Sequence, residues 1–366
     1  MTATWETPMF HSRYSRRRLL AVGAAAVAAA SFGLPRRARG ADEINALVWC
    51  DHSDPNLLTP FEEANGIKVN TKEFGATGEA LAVLEQSKPG DWDVLVLDTV
   101  DIPRLAAKGY LAELNDADYP MADIFAEVQS PEFNKPGGKT HGVTEKFGYN
   151  CFSYNKSKVD PADMRKSEVM WNGKYAGRLA IYDYYNPIIA MVAIGIGIKP
   201  SELKQDHIPA IKEKLLAMKK QSALVGDVTT VQNALVTGSA DVIVGGGEYS
   251  VANLMGEKPE LDWVLPDEGG VRWMQSLAIF KDSTRAELAK KFVQYVLGPE
   301  GQARLATSAC YWAMPSNKTA ALSDAQKKIL RWDEQPTFLS KSFHYLQVDD
   351  ALDKALTDLW TEMLNA

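Results

Sequence analysis

The sequence predicts an α/β protein made of two lobes that share a multi-strand hinge. From Ile44 onwards, short β-rich runs alternate with helical stretches, which is the pattern of a sheet with parallel strands. Strand-like segments at 148–154 and 271–280 lie between two series of this kind, and we interpret them as a passage into a second lobe and a return to the first. A chain that crosses more than once between two lobes forms a hinge of several strands.

The first lobe is predicted from three strand–helix pairs. Its strands are short, apolar and rich in β-branched residues, while its helices are longer and end near glycines such as Gly66 and Gly109. The strands are 44–49, 67–74 and 92–97, and the helices are 56–65, 77–86 and 102–108. Residues 131–141 are rich in Pro, Gly and Lys, so we predict a surface loop there.

The second lobe is predicted from the same alternation, which closes with the glycine triplet 245–247. Its predicted strands are 178–183 and 241–244, and its predicted helices are 187–196, 208–220 and 228–236. Helices are predicted at 286–297 and 300–308, after the return strand, and at 350–364, where the chain closes. We assign residues 41–146 and 279–312 to lobe 1. Residues 147–278 and 313–366 form the predicted lobe 2 with its C-terminal helices.

Charge separates a basic leader from an acidic remainder. The 366 residues contain 40 Lys and Arg and 47 Asp and Glu, and residues 1–40 hold seven of these basic residues and one acid. The rest of the chain keeps 33 basic and 46 acidic residues, a formal charge of -13. A broad basic surface for nucleic acid is therefore not predicted.

The leader has the three parts of an export signal. Ser15–Leu20 is basic at its centre, residues 21–34 are apolar, and Ala38 and Gly40 supply a small-residue cleavage signal. The sequence Ser-Arg-Arg-x-Leu-Leu resembles the twin-arginine signal, so residues 1–40 are predicted to direct the chain through the twin-arginine translocase to the periplasm. A general secretory signal is the alternative.

Motifs for catalysis and metal binding are missing from the sequence. There is no G-x-S-x-G elbow, Walker A loop, H-E-x-x-H motif or complete G-x-G-x-x-G, and the histidines are scattered. We therefore predict no enzyme activity, no cofactor and no metal, with an exported hydrolase and a ferric-ion binder as alternatives. Cys50, Cys151 and Cys310 allow at most one disulfide, and buried thiols are the simpler interpretation.

Aromatic residues cluster where predicted strands end, which is where open α/β sheets bind ligands. Trp49 follows the first strand, a tyrosine-rich segment occupies 182–186, Trp273 lies on the return strand, and Tyr311 follows a helix. Such rings suit alkyl or cationic ligands. The alternative for each ring is ordinary packing in the core.

Four segments resemble the periplasmic spermidine/putrescine-binding proteins, the substrate-binding components of bacterial ABC importers. These segments are 47–49, 56–69, 92–97 and, most specifically, Leu265–Ile279. The resemblance implies a type II clamshell fold, in which a monomer closes two lobes on a small-molecule solute. It also implies delivery of that solute to an ABC permease and its ATPase.

The resemblance places several residues at ligand-contacting positions. Trp49, Trp273, Tyr311 and Gln347 match such positions, and His52 stands where the family has a tyrosine. Positions that carry carboxylates in polyamine binders are occupied by Tyr184, Pro187 and Gln275, and a family tryptophan is replaced near Val244. Because a buried polyamine without carboxylates would leave unpaired charge, the sequence favours a small amine-containing or polar solute, such as a monoamine, an amino-acid derivative or an opine-like conjugate.

Acids near these positions provide an alternative, which is classical spermidine/putrescine binding through Asp183 and its neighbours. Asp51, Asp54, Asp98, Asp101, Asp183 and Glu248 are the candidates, and each is equally explained as an exposed or helix-capping carboxylate. The full set of predicted substrate-binding residues is Trp49, His52, Asp54, Asp98, Asp183, Tyr184, Glu248, Trp273, Gln275, Tyr311 and Gln347.

Overall fold

The framework of the protein is a curled, mixed β-sheet. The computed structural model describes residues 42–75 and 77–366, so the predicted export signal lies outside the described residues. Within them the strands are β1 (Asp42–Val48), β2 (Ile67–Glu73), β3 (Val94–Asp98), β4 (Val143–Asn155), β5 (Leu179–Tyr182), β6 (Ser222–Gly226), β7 (Val242–Gly246), β8 (Leu261–Val264), β9 (Gly270–Ile279), β10 (Met314–Pro315) and β11 (Ser342–Phe343).

Helices pack against both faces of this sheet, and four of those described, α1, α8, α12 and α14, begin at a residue whose side chain caps the first turn. Asp54 caps α1 by accepting a hydrogen bond from the Asn56 backbone N–H at 2.8 Å, and Gly66 ends the helix with φ 66°. The helices are α1 (Pro55–Asn65), α2 (Thr77–Gln86), α3 (Ile102–Ala107), α4 (Ala126–Gln129), α5 (Pro131–Asn134), α6 (Tyr185–Gly195), α7 (Ile208–Gln221), α8 (Val228–Thr237), α9 (Glu248–Val251), α10 (Ala286–Leu297), α11 (Pro299–Ala306), α12 (Asp324–Ile329), α13 (Gln335–Lys341) and α14 (Asp350–Leu364).

Two parallel strand groups lie at the ends of the sheet. The strand order is β2-β1-β3-β9-β4-β7-β5-β6. β1 pairs in parallel with β2 and β3 in the first group, and β5 pairs in parallel with β6 and β7 in the second. Short strands β8, β10 and β11 pair with the central strands β4 and β9. Two α/β groups joined through a shared centre confirm the predicted two-lobed architecture.

β4 and β9 form the connection between the groups. Residues 143–150 of β4 pair antiparallel with β9, and residues 151–155 pair with β7 and β8. β9 in turn pairs antiparallel with β3. Both strands are entirely buried or nearly so, because helices and loops cover each face. The exact division of the chain between the lobes stays a prediction.

The core consists of three clusters of buried side chains. One packs α2 and α3 against β1 and β3, a second packs α6, α7 and α14 against the β5–β7 group, and a third runs beneath both groups. α6 is buried along its length from Pro187 to Ile194, since its turns carry apolar residues on all sides. In the described part of the chain, no helix is long and apolar enough to cross a membrane.

The predicted elements agree with the structure for most of the chain, and their ends shift by at most five residues. One prediction is wrong in detail, and several short elements were not predicted. Residues 131–141, predicted as a surface loop, contain α5 and a short 3-10 turn, and Asn134 is buried there through hydrogen bonds to Thr144 and Gln129. The elements that were not predicted are short and only weakly periodic in sequence; they are β6, β8, β10, β11, α4, α9, α12 and α13.

Candidate functional site

A cavity of about 650 Å³ lies at the carboxyl ends of the parallel strands and beside the hinge. This is the position expected for a ligand site in an open α/β sheet, and the volume suits a small molecule. Its lining comes from the ends of β1, β2, β3 and β5, from β4 and β9, and from helices α8 and α9. The lining residues are Trp49, Cys50, Glu73, Phe74, Gly75, Glu79, Asp98, Asn150, Tyr182, Tyr184, Val228, Thr229, Gln232, Tyr249, Trp273, Gln275, Cys310, Tyr311 and Tyr345.

Eight of the nineteen residues that line the cavity are aromatic, and several of these rings touch one another edge to face. Tyr182 lies 5.9 Å from Tyr184, Tyr184 lies 5.6 Å from Tyr345, and Tyr249 lies 6.1 Å from Trp273, measured between ring centroids. Contacts of this kind hold each ring in place through its neighbour. The wall is therefore a rigid aromatic surface.

The charged groups of the cavity are all acidic. Glu73, Glu79 and Asp98 line it, and none of the described lining residues is Lys, Arg or His. Glu79 accepts a hydrogen bond from the Gly75 backbone N–H at 2.7 Å, and Asp98 accepts one from the Gln275 amide at 3.3 Å. A cavity with this charge is complementary to a cationic ligand.

Asp98 has an unusual proton affinity. Burial and the neighbouring Asp101 carboxylate raise the pKa of Asp98 to about 7, against the weaker opposing effects of the Gln275 hydrogen bond and of Lys146. The carboxyl group is therefore half ionised near neutral pH. A cation that binds beside it favours the ionised form.

Three buried polar atoms on cavity-lining residues have no hydrogen-bond partner among the described residues. They are the indole N–H of Trp49, the side-chain oxygen of Gln275 and the side-chain oxygen of Asn150. Buried polar groups without partners are costly, and in binding sites a ligand or water commonly satisfies them. These atoms are one donor and two acceptors.

A second cavity of about 340 Å³ adjoins the first and shares Asp98, Tyr184 and Tyr345 with it. Its other polar residues include Asp101, Arg104, Asn186 and Gln347. Arg104 donates to Asp101 at 2.7 Å, so the Asp101 carboxylate in this second cavity already has a partner of opposite charge.

Seven of the predicted site residues line these cavities. Trp49, Asp98, Tyr184, Trp273, Gln275 and Tyr311 line the larger one, and Gln347 lines the smaller one together with Asp98 and Tyr184. They come from six separate segments of the chain, which the fold brings to one place.

The other four predicted site residues lie away from both cavities and have structural partners. Asp54 caps α1 and accepts the Ala309 N–H at 2.8 Å, and the exposed Asp183 accepts the Trp360 indole N–H at 3.0 Å. Glu248 is fully buried and accepts the Tyr149 N–H at 3.2 Å. Neither Asp183 nor Glu248 therefore replaces the missing family carboxylates at the cavity wall.

His52 belongs to a buried ionic network behind the wall. Its ring nitrogens contact Asp51 at 3.0 Å and Glu145 at 2.8 Å, while Lys146 pairs with Asp51. Burial opposes both ionised forms, yet Lys146 and His52 lower the pKa of Asp51, and Glu145 and Asp51 raise that of His52. All four side chains are fully buried, and His52 lines neither cavity.

Cys50 and Cys310 form a disulfide that is part of the cavity wall, and Cys151 is a buried free thiol. The interpretation of all three cysteines as thiols is thus wrong for two of them. Their separation of 260 residues concealed the pairing. Within the described chain, no group of three or more His, Cys, Asp or Glu side chains is arranged to hold a metal ion.

A sequence profile described as bacterial extracellular solute-binding protein matches residues 56–333. The chain belongs to this family. It is similar to the spermidine/putrescine-binding periplasmic protein of Escherichia coli K12, with 25% identity over 301 residues, 81% of this chain and 83% of that protein. It is also similar to the putrescine/agmatine-binding protein of Pseudomonas aeruginosa, with 23% identity over 313 residues, 80% of this chain and 82% of that one.

Solved structures of the family share the fold. The spermidine/putrescine ABC transporter substrate-binding protein of Streptococcus pneumoniae, crystallised with calcium and HEPES, superposes with a TM-score of 0.76 at 18% identity. The match covers 88% of this chain and 98% of that one. This agreement confirms the predicted two-lobed type II fold.

Sequence reasoning missed several lining residues of this solute-binding protein. Glu73 is the last residue of β2 and Phe74 follows it, while Tyr249 lies in α9 and Tyr345 lies after β11. The rule that strand carboxyl ends meet at one edge would have found Glu73 and Phe74. Tyr345 carried no such signal, because it lies in an irregular segment after β11.

Proposed function

We propose that this extracellular solute-binding protein is the periplasmic component of an ABC importer and captures a small cationic amine. The observation that carries the proposal is a cavity with eight aromatic rings, three carboxylates and no basic residue among its described lining. Each aromatic face within about 6 Å of a desolvated cation contributes on the order of 0.5–2 kcal/mol. The carboxylates supply the charge pairing that an ammonium group needs.

The expected class within the amines is a diamine or polyamine. Two relatives carry names that refer to spermidine, putrescine and agmatine, which supports this class. The sequence predicted fewer acids in the cavity than polyamine binders have. Glu73 and Glu79, which lie outside the family's carboxylate positions, supply part of the missing negative charge. Asp98 stands at the junction of the two cavities, where a long ligand would pass.

The transport role implies three partners. They are the solute, the membrane permease with its ATPase, and the twin-arginine translocase during export, as the leader Ser15–Leu20 suggests. We propose that the protein acts as a monomer and without catalysis. The Cys50–Cys310 disulfide supports residence in an oxidising compartment.

The test is isothermal titration calorimetry of the purified protein with putrescine, spermidine, agmatine and 4-aminobutyrate. 1,4-Butanediol, which has nearly the size of putrescine but no charge, is the matched control. We expect micromolar binding of the diamines and no binding of the diol. Tighter binding of 4-aminobutyrate would favour an amino-acid derivative instead, and no binding of any amine would refute the proposal.

Two further measurements address the alternative functions. Sustained product formation from ester or amide substrates would indicate an exported hydrolase. An absorbance band that appears with ferric iron would indicate a ferric-ion binder.

A further inference from the structure

The Cys50–Cys310 disulfide joins two segments that each carry a ring of the cavity wall. Trp49 precedes Cys50 at the end of β1, and Tyr311 follows Cys310 in the loop between α11 and β10. All four residues line the larger cavity. Each cysteine of the bridge is therefore the chain neighbour of one of these rings, and the two cysteines are 260 residues apart in sequence.

The loop that carries Tyr311 has few other attachments to its surroundings. It has no regular secondary structure between α11 and β10, and Ala309 and Cys310 are exposed. A bridge between Thr307 and Trp312 closes the loop on itself, and the Ala309 N–H donates to the Asp54 carboxylate at 2.8 Å. The disulfide is the covalent link between this loop and the Trp49 segment.

The far end of the Tyr311 side chain is held by the buried ionic network. Lys146 donates to the Tyr311 hydroxyl at 2.9 Å and lies 5.1 Å from the centre of the ring. Lys146 is fully buried and is itself fixed by Asp51, which follows Cys50 directly. The ring is therefore held at its backbone by the disulfide and at its hydroxyl by Lys146.

We propose that the Cys50–Cys310 bridge is a positioning element for ligand binding, which holds Trp49 and Tyr311 in the binding arrangement before the solute arrives. This inference rests on the proposed function. When only a fraction of the molecules is in the binding-competent arrangement, the observed affinity is the intrinsic affinity multiplied by that fraction. A competent fraction of about one tenth therefore weakens binding about tenfold. Breaking the bridge frees the loop and produces this loss in protein that is still folded.

The experiment compares oxidised wild type with the double variant Cys50→Ser/Cys310→Ser, and uses Cys151→Ser as the matched control for loss of a cysteine outside the cavity. Putrescine and spermidine are titrated at 10 °C, after circular dichroism has established that each protein is folded. We expect dissociation constants about tenfold weaker for the double variant and unchanged for Cys151→Ser. In wild type, reduction with a phosphine should weaken binding similarly, and reoxidation should restore it.

A bridge that only stabilises the fold gives a different result. It would lower the melting temperature of the double variant and leave its dissociation constants at 10 °C equal to those of wild type, which would overturn the inference. Failure of both the double variant and the reduced protein to fold would overturn it as well, because the bridge would then be a folding element. Should oxidised wild type bind neither amine, the proposed function itself fails, which is a separate result from a difference between variants.

Discussion

Asp98 lies at the junction of the two cavities, and it is the cavity carboxyl group whose ionisation changes near neutral pH. Burial and Asp101 raise its pKa to about 7, so the carboxyl is partly protonated in the ligand-free protein. A bound cation stabilises the ionised form, and binding below pH 7 must therefore release a proton. The affinity for a cation consequently rises as the pH rises through 7.

For wild type we expect the affinity for putrescine to increase roughly up to tenfold per pH unit between pH 5.5 and 7 and then to level off. Asp98→Asn should weaken binding at pH 8 about tenfold or more and remove most of this slope. Asp101→Asn is the control, since loss of its repulsion should move the rise to lower pH. An unchanged slope in Asp98→Asn, measured by calorimetry, would contradict the role of Asp98.

Trp273 supplies the second test at the scale of single residues. Its ring is 8% exposed, lines the cavity and packs edge-on against Tyr249. We expect Trp273→Ala to weaken putrescine binding at least tenfold and to leave the fold intact at 20 °C. Trp92→Ala, which removes a partly buried ring that does not line the cavity, should lower stability without that loss. Equal affinity of Trp273→Ala and wild type would remove Trp273 from the site.

At the scale of elements, the central feature is the point where β4 passes from one strand group to the other. Tyr149 is next to this point, and its N–H donates to the buried Glu248 carboxyl at the start of α9. Burial raises the pKa of Glu248 to about 8, against weaker hydrogen bonds from its own backbone and from Tyr149. In the folded protein Glu248 is therefore largely protonated at neutral pH.

The sign of the resulting pH dependence follows from the raised pKa. The unfolded chain loses this proton near pH 4.5, and the folded chain loses it near 8, so the contribution of Glu248 to the free energy of unfolding falls as the pH rises between these values. We expect Glu248→Gln to remove this contribution to the pH dependence of the free energy of unfolding. The variant should have a higher melting temperature than wild type at pH 8.5 and a similar one at pH 4.5. A parallel pH profile of the two proteins in calorimetric melts would refute this.

At the scale of the whole molecule, charge divides the chain into a basic leader and an acidic protein. Residues 1–40 carry seven arginines, and the remainder has a formal charge of -13. The structure places three of these acids at the cavity and others in surface ion pairs, such as Glu62 with Lys68, Asp267 with Arg165 and Glu362 with Lys212. Surface pairs of this kind contribute little stability.

The leader makes a testable prediction about export. Arg16→Lys/Arg17→Lys should retain the protein in the cytoplasm, because the twin-arginine receptor reads that pair. Arg36→Lys/Arg37→Lys, a second arginine pair in the same leader, should be exported normally. Cell fractionation with immunoblotting measures both. Normal export of the first variant would indicate the general secretory route.

Much of the fold could be predicted from the sequence because its strands and helices are separated by clear glycine and capping signals. α2 and α14 agree with prediction at both ends, since each combines helical periodicity with a defined start. Seven of eleven site residues were placed at a cavity because they follow strand ends or match the family. His52, Asp54, Asp183 and Glu248 line neither cavity, and the sequence does not show this because a carboxylate or imidazole near a strand end has the same local pattern whether it faces a cavity or a structural partner.

The sequence by itself predicted an export signal and determined the two-lobed α/β class and the family, since each depends on local pattern or on matched residues in order. Tertiary structure decided which charges line the cavity and which cysteines pair. Glu73 and Glu79 meet Asp98 only when β2, α2 and β3 are assembled, and Cys50 meets Cys310 across 260 residues. The physical reason is that pairing and burial depend on distances in space, which the spacing of residues along the chain does not fix.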